Sequence, residues 1–322
     1  MPPCNDAQRS DAGYLMVFHS DETHAIHAIL SEGPDPTRWR SVDGGDPVVT
    51  SSLGEKGTRD PHLVRSPVDG KYFLLGTDLD IRWTDRPGVP EDGFWDWVGR
   101  HGSRSINVWE SVDLVTWSEQ RQVEVAPATA GMAWAPKTVW DDDADAFLVV
   151  WSSRVFAADD TDHAGDGPHR LLAAHTRDFV TFTPAQDWGN PGASVIDAFI
   201  VQDDEGFVRF VKDEAAGTVL SEQAASLHAE RWEPVSAGVA SGTETGIIEG
   251  PLVFRSFTDG EWYLWVDEYT GADRGYVPFH SPDLRAERWA PVEGYSFPCK
   301  VKHGTVVPLD ADQYARLEAR VR

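Results

Sequence analysis

Apolar and polar positions alternate in short runs along most of the chain, and the runs recur. "TRDPHLVRSPVDGKYFLLGTD" from Thr58, "AWAPKTVWDDDADAFLVVWSS" from Ala133, "SVIDAFIVQDDEGFVRFVKDE" from Ser194 and "IEGPLVFRSFTDGEWYLWVDE" from Ile248 share one plan. Each has an apolar stretch of strand length, an acidic or glycine-containing turn, and a second apolar stretch, which predicts a β-hairpin. Each is also followed by a polar turn and an aromatic: "WESVDLVTWSE", "AAHTRDFVTFTPA", "AASLHAERWEPV" and "FHSPDLRAERWAPV". These segments predict the last strands of each unit.

Pro61, Pro136, Ala198, Pro251 and Thr305 anchor the repeats at intervals of 75, 62, 53 and 54 residues. That spacing suits four short strands per unit with variable loops. The fifth unit starts at "VKHGTVVPL" and breaks off. Its remainder stands at the other end of the chain, as "DAGYLMVFHS", "HAIHAILSEG" and "PTRWRSV", closing on Trp39. Radial repetition protects sheet edges, and strands borrowed from both termini tie such a ring shut. The expected fold is therefore all-β, a five-bladed β-propeller whose fifth blade is closed by strands from both termini. It is expected as one catalytic domain over 1–322, with a loose segment at 1–13. The split fifth unit argues against the rival two-sheet sandwich. Helical periodicity is weak, and "DADQYARLEARV" is the best short helix candidate.

Composition narrows the chemistry. The 322 residues carry a formal charge of −25, which repels nucleic acid and anionic lipid and favours a neutral or cationic ligand. The 14 tryptophans suit strand packing and also the apolar faces of sugars. The two cysteines, Cys4 and Cys299, form no metal-binding pattern. The N-terminus lacks a basic region followed by a long apolar run, and no stretch is long enough to span a membrane. The cytoplasm is the default location, and secretion is the option if a signal has been removed.

The first residues of the five repeated strands would line a central channel. They read Arg59-Asp60, Trp134-Ala135, Ile196-Asp197, Glu249-Gly250 and His303-Gly304. Converged, they would make an acidic pocket with an aromatic wall. Paired carboxylates are what glycosidic hydrolysis needs, one to protonate the leaving oxygen and one to activate water or attack. Asp60 and Asp197 fall in the second column of this alignment, Glu249 and His303 in the first. Strict alternation would send them to opposite faces, so convergence requires a bend at Gly250 and Gly304. The acidic runs Asp141–Asp145 and Asp203–Gly206 read as hairpin turns, since neither has an EF-hand's ligand spacing. "KDE" from Lys212 and "VDEY" from Val266 end second strands, where they can reach the channel mouth.

In order, "RDPHL", "WAPK", "SVIDAF", "EGPLVF" and "KHGTV" resemble glycoside hydrolase family 43, from about Tyr14 to Leu309. The resemblance implies an inverting, exo-acting hydrolase that releases arabinofuranosyl or xylosyl units from plant-type saccharides. It makes Asp60 the general base, Glu249 the general acid, and Asp197 the carboxylate that tunes and orients the acid. Arg59, Trp134 and His303 become substrate-binding residues. His303 also matches a channel histidine near a water-coordinated calcium ion, so a structural calcium is an option and no cofactor is required. Lys137 departs from the acidic residue of many relatives, and Ile-Asp-Ala from the commoner Ile-Asp-Pro. A general acid needs a raised pKa, which a neighbouring carboxylate supplies. Two other readings compete. A retaining fructan- or sucrose-type propeller would need Asn-Asp-Pro and Glu-Cys motifs that this chain lacks. A propeller with a degenerate pocket would bind carbohydrate without cleaving it. The aromatic-rich loop from Asp80 to Ser103, with Trp83, Phe94, Trp95 and Trp97, is expected to form one wall of the cleft.

Overall fold

The computed structural model describes residues 11–84, 87–240 and 246–321. The expected hairpins grow into five four-stranded antiparallel sheets. Near the N-terminus stand β1 (Asp11–Ser20), β2 (Ala25–Glu32) and β3 (Asp35–Ser41). Blade 1 follows as β4 (Thr58–Arg65), β5 (Tyr72–Asp78), β6 (Ser105–Ser111) and β7 (Arg121–Glu124). Blade 2 is β8 (Trp134–Asp141), β9 (Ala146–Arg154), β10 (His169–Thr176) and β11 (Gln186–Asp187). Blade 3 is β12 (Val195–Asp203), β13 (Gly206–Asp213), β14 (Thr218–Ala224) and β15 (Glu233–Ser236). Blade 4 is β16 (Ile248–Arg255), β17 (Trp262–Glu268), β18 (Gly275–Ser281) and β19 (Ala290–Pro291). The last strand, β20 (Lys302–Asp310), pairs with β1 from His19 opposite Lys302 to Asp11 opposite Asp310, so blade 5 is built from both ends of the chain.

The inner strands β4, β8, β12, β16 and β20 meet in cyclic order around the channel. Alternation gives each blade two apolar faces, and these pack against the blades on either side. Leu15, Leu74 and Trp109 share one cluster between blades 5 and 1, and Phe73, Phe147 and Trp151 share the next, between blades 1 and 2. Trp151 and Trp265 are wholly buried.

Every inner strand carries a β-bulge near its start, where the ladder slips by one residue. The residue at each slip has a left-handed backbone: Asp60 (φ 51°), Ala135 (48°), Asp197 (56°), Gly250 (54°) and His303 (28°). This corrects the alignment drawn from sequence. His303 shares its column with Asp60 and Asp197, and the bend in β20 lies at His303 itself, not at Gly304. A bulge bends its strand and re-aims the side chains beside it. Residues of both columns can therefore point into one pocket, which strict alternation forbids.

Two further differences concern the segments outside the blades. Asp11–Gly13 belong to β1, whereas the loose segment was expected to reach residue 13; residues 1–10 lie outside those described. The long loop of blade 1 contains a helix, α1 (Phe94–His101), that periodicity did not predict. The expected C-terminal helix is present as α2 (Ala311–Glu318). It starts with a capping box in which Asp310 and Gln313 satisfy each other's backbone amides. No helix among the described residues is long and apolar enough to cross a membrane.

Candidate active site

His303 lies at the centre of the channel mouth. Its Nδ1 is 3.0 Å from Asp60 Oδ1 and 4.0 Å from Asp197 Oδ2, and its Nε2 is 3.2 Å from Glu249 Oε1. Four of the six expected site residues thus converge, one from each of blades 1, 3, 4 and 5. The close approach of Glu249 depends on Gly250. A Cβ there would sit 2.6–2.7 Å from atoms of the His303 ring.

A second ring of polar groups holds the first. The residues opposite the first column in the hairpin ladders are Thr77, Ser152, Lys212, Asp267 and His19, all buried. Each reaches into the next blade round the ring. His19 Nδ1 accepts from Asp60 N (3.1 Å), Thr77 Oγ1 accepts from Ala135 N (2.7 Å) and Ser152 Oγ accepts from Asp197 N (3.1 Å). Lys212 Nζ donates to Glu249 Oε2 (2.9 Å), and Asp267 Oδ2 is 3.4 Å from His303 Nε2. Thr77 also donates to Asp60 Oδ2 at 2.7 Å. These five were not singled out by role from sequence, although "KDE" and "VDEY" contain Lys212 and Asp267. The available signal was ladder arithmetic: in each hairpin, a polar residue opposes the one just before the bulge.

The remaining expected residues sit at the periphery. Arg59 is buried and ion-paired with Asp21, so its guanidinium is committed to a protein carboxylate. Trp134 is half-buried, with its ring 6.2 Å from those of Trp95 on α1 and His169. The aromatic loop does therefore approach the mouth of the channel. Lys137 is buried and donates to the backbone carbonyl of Asp60 at 3.0 Å, so it braces the first bulge.

Charge in the pocket follows from this packing. Burial disfavours a charged His303, but the Asp197 and Asp60 carboxylates outweigh it and hold the imidazolium well above the usual histidine range. Burial pushes the Asp60 carboxyl up, but His303 outweighs it and holds the group well below the usual carboxylate range. Burial of Glu249 is likewise outweighed, by His303 and Lys212, and its carboxyl is held down to about 2. Asp197 goes the other way. Burial lifts it, against the pull of His303 and with the Glu249 and Asp60 charges adding, to about 6. His19, buried beside the Arg59 cation, is pushed down to about 3 and stays neutral, as its acceptor role at Nδ1 requires. Burial likewise lifts Asp267, against the pull of His303 and Lys302, to about 6, so the raised carboxyls of the pocket are Asp197 and Asp267, whereas the sequence argument placed the raised group at Glu249.

Asp197, Glu249 and His303 also bring ligand atoms within 4.8 Å of one another, the donor set at which calcium was an option. The set fits a directly bound calcium poorly. It offers two carboxylates and an imidazole whose nitrogens both face carboxylates, whereas calcium takes six to eight oxygens.

Residues 10–315 match the family model described as a probable glycosyl hydrolase domain, of the family-43-related type. An α-L-arabinofuranosidase of Bifidobacterium longum subsp. longum is 33% identical over 223 residues, which cover 64% of this chain and 20% of that protein. The chain thus spans about a fifth of the length of that curated relative. The fold is similar to that of a thermostable family-43 glycoside hydrolase (TM-score 0.53, 18% identity, 77% of this chain and 76% of the other). It is also similar to the catalytic domain of a family-62 α-L-arabinofuranosidase from Coprinopsis cinerea (TM-score 0.54, 15% identity, 78% and 74%).

Proposed function

The chain belongs to the family of probable glycosyl hydrolase domains related to glycoside hydrolase family 43, and from that premise we propose that it is an inverting, exo-acting glycosidase releasing arabinofuranosyl or xylosyl units from plant-type saccharides. The observation that supports this most is the gathering of Asp60, Asp197 and Glu249 around one imidazolium, with their proton affinities pushed apart. Asp60, ionised at any working pH, takes a proton from the attacking water. That water's oxygen bonds to the anomeric carbon as the glycosidic C–O bond breaks. The leaving oxygen takes its proton from the Asp197–Glu249 pair, which shares one proton because two adjacent anions repel. His303 offsets the charge on the carboxylates, and Lys212 and Thr77 fix the orientations of Glu249 and Asp60.

The raised carboxyl at Asp197 favours a second reading, in which Asp197 itself is the donor. Leaving-group dependence separates the two. With Glu249 as donor, Glu249→Gln should slow glycosides with poor leaving groups about 10³-fold and spare activated nitrophenyl glycosides, while Asp197→Asn slows both. The reverse pattern would move the acid to Asp197.

The pair also sets the pH profile. Because Asp197 is raised to about 6, loss of the shared proton should end activity above an apparent pKa near 6. Lys212 stabilises the ionised pair, so Lys212→Met should move that basic limb to higher pH. A limb that stays in place, or moves down, would remove the pair from the proton path.

The α1 helix supplies a third test. Trp95 is 56% exposed and meets Trp134 edge-on at 89°. If the two rings form a wall of the cleft, Trp95→Ala should raise KM about 5-fold with kcat little changed, in line with roughly 1 kcal/mol of lost aromatic contact. Unchanged kinetics on arabinosides, xylosides and galactosides alike would remove α1 from the cleft.

A further inference from the structure

At the end of β8 far from the channel mouth, the acidic run at Asp141 does more than make its turn. Asp141 lies seven residues along β8 from Trp134, about 23 Å at the usual strand rise. Its Oδ1 accepts from the backbone amides of Asp143 (3.1 Å) and Ala144 (3.4 Å), which is the hairpin turn expected from sequence. Its Oδ2 faces two histidines: His175 Nε2 at 2.8 Å, from β10, and His228 Nε2 at 2.9 Å, from the turn after β14. The imidazole rings are stacked with centroids 5.8 Å apart, and the three ligand atoms lie within 4.8 Å of one another.

We propose that Asp141, His175 and His228 form a two-histidine, one-carboxylate site for a divalent zinc-type metal ion, which clips blade 2 to blade 3. The donor set decides the class of ion. Two imidazole nitrogens and one carboxylate suit zinc and its late first-row neighbours, whereas calcium and magnesium seek more oxygens. The geometry is close to what zinc needs. Tetrahedral bonds of about 2.0–2.1 Å put ligand atoms about 3.3 Å apart, so each histidine nitrogen must draw back from Asp141 Oδ2 by only about 0.5 Å. Asp141 is nearly fully buried and oriented through its other oxygen by two backbone amides, the kind of outer support that metal-ligating carboxylates receive. His228 is half-exposed, which gives the ion a route in and leaves a fourth position for water. Without metal, both Nε2 atoms must carry hydrogen to bond the shared oxygen. On binding, each Nε2 gives up that hydrogen and turns its lone pair to the ion, while the ring carries its proton on Nδ1.

The test is titration of the full-length chain, stripped of metal, with zinc chloride near neutral pH, followed by calorimetry and thermal unfolding. The expected result is one ion per chain, a rise in Tm, and no displacement by excess calcium. His228→Ala and His175→Ala should each weaken binding about 100-fold or more and abolish the Tm rise. His228 is half-exposed, so His228→Ala should keep the wild-type circular dichroism, and loss of binding in that folded protein is the supporting outcome. Absence of stoichiometric uptake by the wild-type chain would overturn the proposal. So would binding that survives in the double variant, or that disappears only in His303→Gln, which would place the ion in the channel.

Discussion

Asp60→Asn is expected to lower kcat about 10³-fold on an aryl arabinofuranoside or xyloside, with little change in KM and no loss of fold. Asparagine is the informative substitution because of the backbone. Residue 60 has a φ of 51°, a region that Asp and Asn tolerate better than most residues, so alanine would add strain to the loss of charge. The single amide oxygen can keep either the Thr77 hydroxyl at 2.7 Å or the His303 Nδ1 contact at 3.0 Å, so the variant loses the base together with one of its two partners. Steady-state kinetics beside circular dichroism would check it, and a near-normal rate in the folded variant would reject Asp60 as the base. Loss of activity alone does not distinguish a base from a nucleophile. Proton NMR of the freshly released sugar does: inversion supports the base, retention the nucleophile.

Gly250→Ala is expected to destabilise the protein and disturb the channel site together. The residue has a φ of 54°, and the added Cβ would lie 2.6 Å from His303 Cδ2. Backbone strain and overpacking each cost about 1–3 kcal/mol, so a loss of about 3 kcal/mol, with a Tm lower by several degrees, is the expected outcome. Activity should fall with it, because the ring displaced is the one that Asp60 and Glu249 share. Gly33→Ala is the control. It has a similar φ of 62° but nothing within 4 Å of the new Cβ, so it should show the smaller strain cost and an unchanged rate. Equal stability losses in the two variants would mean that the His303 contact contributes nothing.

The blades were legible because a hairpin leaves a local trace: apolar stretches on either side of a turn, repeated with the same ending. The split fifth blade followed from the same trace at the two termini. The carboxylates and His303 were legible as a column at strand starts, but the register between columns was not. A bulge adds one residue without changing composition, so sequence alternation cannot place it. Its side effect is visible, however. Left-handed positions favour Gly, Asp, Asn and His, and four of the five bulge residues are Asp60, Asp197, Gly250 and His303. The α1 helix was hidden for another reason. It is eight residues long, starts at Gly93 without a side-chain cap, and is held by tertiary contacts such as Asp96 with Arg154 at 2.6 Å. Such a helix owes little to its own sequence. Lys212 and Asp267 were visible as charges, but their tasks depend on the neighbouring blade, which no single repeat records.

The closing strand also gives the chain an order of assembly. β20 is the last of the inner strands to be synthesised, and it brings both the partner of β1 and the imidazolium between Asp60 and Glu249. A nascent chain ending before Lys302 holds its buried carboxylates without that cation, and its first blade-5 strand without an inner neighbour. The strand that closes the ring and the imidazolium that the channel carboxylates share therefore arrive together, in the same nine residues.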